Sequence, residues 1–394
     1  MKIVLTGGGS GGHIFPLIAV VREIKSLYLQ KRLEESLNVF GEAKGRAKYQ
    51  ESLEFRYLGP RDDFSLILLA QEGVRTKEIA AGKLRRYLDW QSFLDNLVDI
   101  FLRTPLGIMQ SFFDLFFFAP DLIFSKGGYG SFPVVVAGWF LGIPIFLHDS
   151  DVDPGLANQL LAKFAKKILV SFPKTERFPP SKMILTGNPV RKELLYGNPL
   201  EAKEVLNIAG GKPVIIIIGG SQGAQRINDL ILAILPNMLK YFEILHQIGE
   251  KNFVKTRAEA VVTVPKGREK YYHPFPFLRE EDYKQALSIC DLIVARAGGG
   301  TIFEIAAAGK PSILIPYPEA AQGHQLKNAY SFAAGGATVI MEEANLTPNF
   351  FLEKLKNLFS RPGELEKMAK ASRNFAKPEA ARDIASIIFN FLKM

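Results

Sequence analysis

Three times in this chain a short apolar run rich in β-branched residues breaks into a glycine loop and then into helix-compatible sequence. Ile3–Leu5 leads into GGGSGGH (Gly7–His13), Val214–Ile218 into GGSQGA (Gly219–Ala224), and Leu292–Val294 into RAGGGTIFE (Arg296–Glu304). Strand, tight turn and helix in that order open a βα unit, and repeated βαβ units build a parallel sheet. Val214–Ile218 is nearly all β-branched, as a central strand covered on both faces requires. Further strands are expected near Asn38–Phe40, Leu122–Phe124, Ile143–Leu147, Ile168–Val170, Met183–Leu185, Phe242–Gln247, Ser312–Ile315 and Ala337–Ile340. The fold class is therefore α/β. At 394 residues the chain has enough length for two such domains, each with its own core. Turn chemistry at Thr186–Pro189 and Gly197–Pro199 marks a boundary, giving domains over 1–190 and 191–378.

The remaining composition mostly excludes. A single cysteine, Cys290, rules out an intrachain disulfide and a cysteine-built zinc site. No apolar run approaches the roughly 18–20 residues that span a bilayer. The start, MKIVLTGGG, has no signal-peptide layout, so a cytoplasmic protein is expected. The net charge of +9 is spread evenly, with 23 basic against 19 acidic residues over 1–190 and 26 against 21 over 191–394. Neither half is a basic nucleic-acid module, and charge alone does not choose between nucleic acid, an anionic membrane and a phosphorylated substrate. One count is unusual: 30 phenylalanines against 12 tyrosines and 2 tryptophans. Many of them fall in residues 64–119, which read as a long helical stretch interrupting the βα rhythm. Two readings stand for it. Its apolar residues face the core, or Trp90, Phe93, Phe112 and Phe113 form a membrane-surface patch beside Lys83, Arg85 and Arg86.

The glycine loops carry the chemistry. Glycine lets the backbone turn sharply and bring N–H groups close to an anion, and the helix that follows adds partial positive charge. Gly7-x-Gly9-x-x-Gly12 also fits a dinucleotide fingerprint. However, the acidic residue that fingerprint wants about 20 residues on is missing, and Glu42 comes too late. Two glycine loops on strand tips of the second domain point to a nucleotide-diphosphate site at the carboxyl edge of its sheet. There Thr301 is placed to cap the next helix and Glu304 to take ribose hydroxyls, unless Glu304 merely serves the helix dipole. The first domain contributes KGGYGS (Lys126–Ser131) and LHDSDVDPG (Leu147–Gly155). Asp149, Asp151 and Asp153 have the spacing of a calcium loop, but Pro154 and Leu160 occupy its glycine and glutamate positions, so calcium is not expected. No metal or cofactor is required.

Together these segments resemble the MurG family of UDP-N-acetylglucosamine-dependent glycosyltransferases. The resemblance rests on GGSGGH, GGYGS, LHDSD, GNPVR (Gly187–Arg191), GGSQGA, RAGGGTIFEIAAAGKP and Pro316-Tyr317-Pro318 followed by HQLKNA, in order from about residue 3 to 340. It implies a GT-B fold: two Rossmann-like domains with parallel sheets facing across a cleft, the donor held mainly by the second, and a C-terminal helix, 379–394, returning to the first. It also implies that Ser10, Gly11, Gly12 and Tyr129 line the cleft and that Arg191, Ser221, Gln222 and Gly223 serve the diphosphate. Leu278 would sit near uracil, Gly299, Gly300, Thr301, Ile302, Phe303 and Glu304 would hold uridine, and Gln325 would lie near the sugar. The family's HEQN reads His148-Asp149-Ser150-Asp151 here, which puts a carboxylate, Asp151, where an asparagine touches the donor.

The implied reaction is inverting transfer of GlcNAc from UDP-GlcNAc to the C4 hydroxyl of undecaprenyl-pyrophosphoryl-MurNAc-pentapeptide (lipid I), in peptidoglycan synthesis, at the cytoplasmic face of the membrane. A hydroxyl is a weak nucleophile, so a base must take its proton. His13 is the first candidate and Asp149 the second. Other readings are a diacylglycerol glycosyltransferase of the same fold, a UDP-GlcNAc 2-epimerase and a catalytically silent nucleotide-binding scaffold.

Overall fold

Strand–helix alternation produces two parallel sheets, each in its own unit. The computed structural model describes residues 1–9, 11–39, 52–83, 85, 90–173, 175, 177–220 and 223–392. The chain divides into Met1–Pro189 with the C-terminal helix, and Val190–Pro378.

The first unit runs β1 (Lys2–Thr6), α1 (Gly11–Val39), β2 (Glu54–Gly59), α2 (Asp63–Gln71), β3 (Arg75–Glu78), α3 (Trp90–Val98), a π-helical turn (Asp99–Arg103), α4 (Thr104–Phe118), β4 (Leu122–Ser125), α5 (Phe132–Phe140), β5 (Ile145–Asp149), α6 (Leu156–Leu161), β6 (Lys167–Val170) and β7 (Met183–Leu185). Among the described residues its sheet is all parallel, in the order β3-β2-β1-β4-β5-β6-β7. Ile3, Val4 and Leu5 are fully buried because helices cover both faces of β1.

The second unit runs α7 (Pro199–Val205), β8 (Val214–Ile218), α8 (Gln225–Tyr241), β9 (Glu243–Gln247), α9 (Glu250–Thr263), β10 (Tyr272–Phe275), α10 (Glu280–Ile289), β11 (Leu292–Ala295), α11 (Gly299–Ala307), β12 (Ser312–Leu314), α12 (His324–Ala333), β13 (Thr338–Ile340), α13 (Pro348–Phe359) and α14 (Pro362–Phe375), and the chain ends with α15 (Ala380–Phe391). Its sheet order is β10-β9-β8-β11-β12-β13. In α8 the buried Ile227, Leu230, Ile231, Ile234, Leu235 and Met238 recur at the i, i+3, i+4 spacing of a helix laid on a sheet.

Four sequence readings are corrected. The strand expected at Asn38–Phe40 is not there, since residues 38 and 39 end α1 and Phe40 lies outside the described residues. The second strand is β2, where Arg56 interrupts the apolar run. The helical stretch expected over 64–119 contains β3, whose sequence RTKE has no apolar residue because an edge strand can be charged and solvated. Strand β10 was missed because it carries Pro274, which is tolerated at a sheet edge. Finally, β5 extends past Leu147 through His148 and Asp149, which places both side chains in the sheet rather than in a loop.

Helix α15 packs on α1. Ile384, Ala385 and Ile388 are fully buried with Ile14, Leu17 and Val21, and the Phe391 ring lies 5.0 Å from Phe146. I388A is expected to cost the first unit about 2–5 kcal/mol, the usual range for a large-to-small core change. Hydrogen exchange under urea checks it: protection should fall in β1 and α1 and stay unchanged in β8.

Candidate active site

Strand order reverses between β1 and β4 in the first unit and between β8 and β11 in the second. At such a point the loops leaving neighbouring strands diverge, and the carboxyl ends of the strands open into a crevice that takes ligands. All three glycine loops, and the Lys126–Ser131 turn, lie at these two places.

In the first unit, His13 is the third residue of α1, and its ring rests against two glycines. A Cβ on Gly8 would stand 3.0 Å from the ring, and one on Gly128 would stand 3.1 Å from Nε2. Gly127 and Gly128 have φ of +81° and +83°, the left-handed region that favours glycine, and a Cβ on Gly127 would strike the Asn158 amide at 1.8 Å. Asn158 holds this turn in place. Its Oδ1 accepts from the Gly128 N–H at 3.2 Å and its Nδ2 donates to Asp149 Oδ2 at 2.6 Å. Asp149 Oδ1 accepts from the Asp151 N–H at 2.9 Å. The buried carboxylate is thus engaged at both oxygens.

Behind this turn lies Lys126, 2% exposed, whose Nζ donates to His148 Nδ1 at 2.7 Å, to the Ser150 hydroxyl and to Asn188 Oδ1 at 3.3 Å. His148 Nε2 lies 3.1 Å from the Gly187 carbonyl, which can only accept. The ring hydrogen therefore sits on Nε2, leaving Nδ1 to receive the ammonium. Burial, then the positive Lys126, push His148 well below its ordinary pKa. The same two causes bring His13 down to about 4 against the pull of Asp151, so its imidazole is unprotonated at neutral pH. Burial also brings Lys126 to about 8, opposed by Asp149 and Asp151, and raises Asp149 to about 6, with Asp151 adding to the rise.

In the second unit, Arg191 is 5% exposed, with one terminal nitrogen 3.0 Å from Glu280 and the other 3.2 Å from Glu304. Burial raises the pKa of Glu304 and Arg191 opposes it. Glu304 stands in the first turns of α11, which begins after Gly298. Thr301 is therefore inside the helix and does not cap it, a correction that follows from the helix starting on glycine. Ile302 and Phe303 are buried in the core, the Phe303 ring tilted against Phe375 with centroids 5.3 Å apart, so their side chains are not available to a ligand. Gln247 links two loops, accepting from the Leu278 N–H and donating to the Gly220 carbonyl, both at 3.0 Å. Gly223 has φ +76°, and a Cβ there would meet the Ile248 carbonyl at 2.3 Å. Gln325 accepts from the Tyr317 N–H at 2.9 Å.

Gly11 is buried and Gly12 exposed on the first turn of α1, and Tyr129 is half-buried on the turn after Gly128. Ser10, Ser221 and Gln222 lie outside the described residues. Asp153 turns away from Asp149 to pair with Arg177 at 2.6 Å. The sequence reading left out Lys126, Asn158, Asn188, Gln247 and Glu280 as site residues. Two carried a signal: Lys126 by preceding the glycine pair, and Asn188 by lying in GNPVR.

The aromatics of α3 and α4 are on the surface. Trp90 is 73% exposed and Phe117 80%, and Phe93, Phe113 and Phe116 are more than half exposed, while Leu115 and Phe118 turn inward. Trp90 stacks on Phe93, and Phe112 on Phe116. Of the cations expected beside them, Arg85 is held by Asp95 and Asp99, Lys83 lies over the Tyr129 ring, and Arg86 is outside the described residues. No helix among the described residues is long and apolar enough to cross a membrane.

Residues 47–170 match the glycosyltransferase family 28 N-terminal domain, and residues 214–385 the family 28 C-terminal domain. A Treponema denticola protein named UDP-N-acetylglucosamine–N-acetylmuramyl-(pentapeptide) pyrophosphoryl-undecaprenol N-acetylglucosamine transferase is 38% identical, over 99% of this chain and 97% of its own. A Clostridium tetani protein of the same name is 32% identical, over 100% and 99%. The crystal structure of Acinetobacter baumannii MurG superposes with a TM-score of 0.67 at 26% identity, covering 99% of each chain.

A carboxyl whose pKa is raised on folding, here from 3.8 to about 6, binds more protons folded than unfolded in that window, so it lowers stability as pH rises through it. The stability advantage of the wild type over D149N is therefore expected to be largest near pH 4 and to shrink by pH 7. Urea denaturation at fixed pH values measures it, and a widening advantage would contradict the assignment.

Proposed function

We infer the reaction from one premise: this chain belongs to the MurG family, within glycosyltransferase family 28. It is a hexosyltransferase that moves N-acetylglucosamine from UDP-GlcNAc to the C4 hydroxyl of the muramoyl sugar of lipid I, giving lipid II for peptidoglycan. The observation that carries the mechanism is the His13 imidazole lodged against two glycines at the strand-order reversal of the first unit, where burial lowers its pKa.

The second unit, Val190–Pro378, is assigned to the donor and the first, Met1–Pro189 with α15, to the acceptor. Glu304 takes the ribose hydroxyls, with Arg191 orienting its carboxylate. Because both terminal nitrogens of Arg191 already meet carboxylates, it serves the diphosphate as nearby charge rather than as a clamp. Main-chain N–H groups of the Gly219–Gly223 loop and of Gly299–Thr301, at the start of α11, stabilise the charge that develops on departing UDP. Leu278 offers its backbone to uracil and Gln325 its amide to the sugar. On the first unit, Gly11, Gly12, Tyr129 and Asp151 are assigned to substrate binding, with Ser10 by its place in the glycine motif.

His13 accepts the proton of the attacking hydroxyl as the new bond forms with inversion at the sugar carbon. Its low pKa keeps it unprotonated while the site is empty. A diphosphate brought beside it by the substrate raises its basicity toward working pH, where general-base catalysis is most effective. Asp149, with both oxygens held inside the unit, supports this site as a structural carboxylate. A diacylglycerol acceptor is not favoured, since the full-length relatives at 32–38% identity carry the muramyl name.

A lipid-linked acceptor requires the enzyme to reach a bilayer. The exposed aromatics of α3 and α4, with Trp139 and Phe140 on α5 against which α4 packs, are assigned to peripheral docking on the anionic cytoplasmic leaflet.

H13Q is expected to lower kcat by roughly 100-fold or more with little change in the KM for UDP-GlcNAc. The assay is transfer of labelled GlcNAc to a lipid I analogue, and near-wild-type turnover removes the base role. F112S/F116S is expected to reduce pelleting with anionic liposomes, and pelleting equal to the wild type by a folded variant counts against the patch.

A further inference from the structure

The Lys126 ammonium spends its three hydrogens on His148 Nδ1, the Ser150 hydroxyl and Asn188 Oδ1, all uncharged acceptors. A cation buried to 2% exposure with only neutral partners is costly unless nearby charge offsets it. That charge stands on either side of Ser150. Asp149 and Asp151 flank the residue the ammonium touches, and the Asp151 N–H donates to Asp149 Oδ1 at 2.9 Å, which folds the segment around that point. Seen from the ligand side the problem is reversed. Two carboxylates beside a site for diphosphate-linked sugars repel the substrate, at a place where low dielectric makes repulsion strong.

We propose that Lys126 is the positioning residue and counter-charge of the 148–151 segment: it fixes His148 and Ser150 by hydrogen bonds and cancels carboxylate charge at Asp149 and Asp151, so that a diphosphate can enter. The assignment rests on the reading of this chain as a transferase acting on UDP-GlcNAc and a pyrophosphoryl lipid. Its electrostatics agree with the geometry. Both aspartates oppose the burial of the ammonium, and Lys126 in turn acts on His13 from α1 and on His148 and Asp149 from β5. Among the described residues, His13, His148, Asp149 and Asp151 are the titratable neighbours that share its field.

The test is a double-mutant cycle on the full chain, with kcat and KM measured separately for UDP-GlcNAc and for a lipid I analogue in the wild type, K126M, D151N and K126M/D151N. K126M is expected to raise KM about tenfold for whichever diphosphate meets the segment, and adding D151N should restore most of that loss, a coupling expected of neighbouring charges. The two KM values tell donor from acceptor. An unchanged KM in K126M, or a double variant no better than K126M, overturns the proposal, because a purely structural lysine is not rescued by removing a carboxylate. If K126M does not fold, D151N alone decides. With one counter-charge gone, the ammonium loses its proton at lower pH, so the alkaline limb of kcat/KM should move down from near pH 8, and an unmoved limb overturns the proposal. Absence of transfer by the wild type removes the transferase reading and this inference with it, whereas an active wild type with an unrescued K126M removes this inference alone.

Discussion

The glycine loops of this protein are placed by two parallel pairings, β1 with β4 and β8 with β11. Each is the place where a strand order stops running one way and starts running the other. A parallel sheet sends every βα loop to the same edge, and only at the reversal do adjacent loops separate enough to leave a crevice. The glycine loops follow β1, β8 and β11, and the Lys126–Ser131 turn follows β4.

Within the first crevice, burial sets the chemistry. His13, His148, Lys126 and Asp149 all shift toward their neutral forms, because low dielectric penalises charge of either sign. Hydrogen bonds then divide the roles. His148 and Asp149 are fastened at both of their polar ends, and the His13 ring packs against the backbone of Gly8 and Gly128. The glycines do more than allow a turn: a Cβ at Gly8 or Gly128 would meet the His13 ring and one at Gly127 the Asn158 amide, so the absence of a Cβ lets these side chains seat against the backbone.

The aromatic excess follows a different logic. A helix laid on a sheet needs one apolar face, and α4 meets that need with Ser111, Leu115 and Phe118. Phe113, Phe116 and Phe117 are surplus to the core and stand more than half exposed. Asp99 holds Arg85 and Arg103 at the joint between α3 and α4, so the charges nearest this surface serve first to fix the joint.

The α/β class and most central strands were legible because a buried parallel strand is apolar on both faces, as in Val214–Ile218. Two of the four edges, β7 and β13, kept apolar runs and were legible too, but RTKE of β3 and YHPF of β10 obey sheet pairing on one side only, and their local sequence carries almost no strand signal. The same division runs through the candidate site. Positions set by backbone need, such as Gly127, Gly128 and Gly223, announce themselves, because few residues other than glycine adopt those angles. Contacts between side chains far apart in sequence do not. Asn158 reaches Asp149 and Gly128 from a short helix, Asn188 reaches Lys126 across 62 residues, and Glu280 meets Arg191 across 89. The sequence by itself determined the strand–glycine–helix units and the residue types able to serve a diphosphate, since backbone geometry and charge are local properties. Only the tertiary structure decided which of those residues share a field, because a buried charge is set by what surrounds it in space.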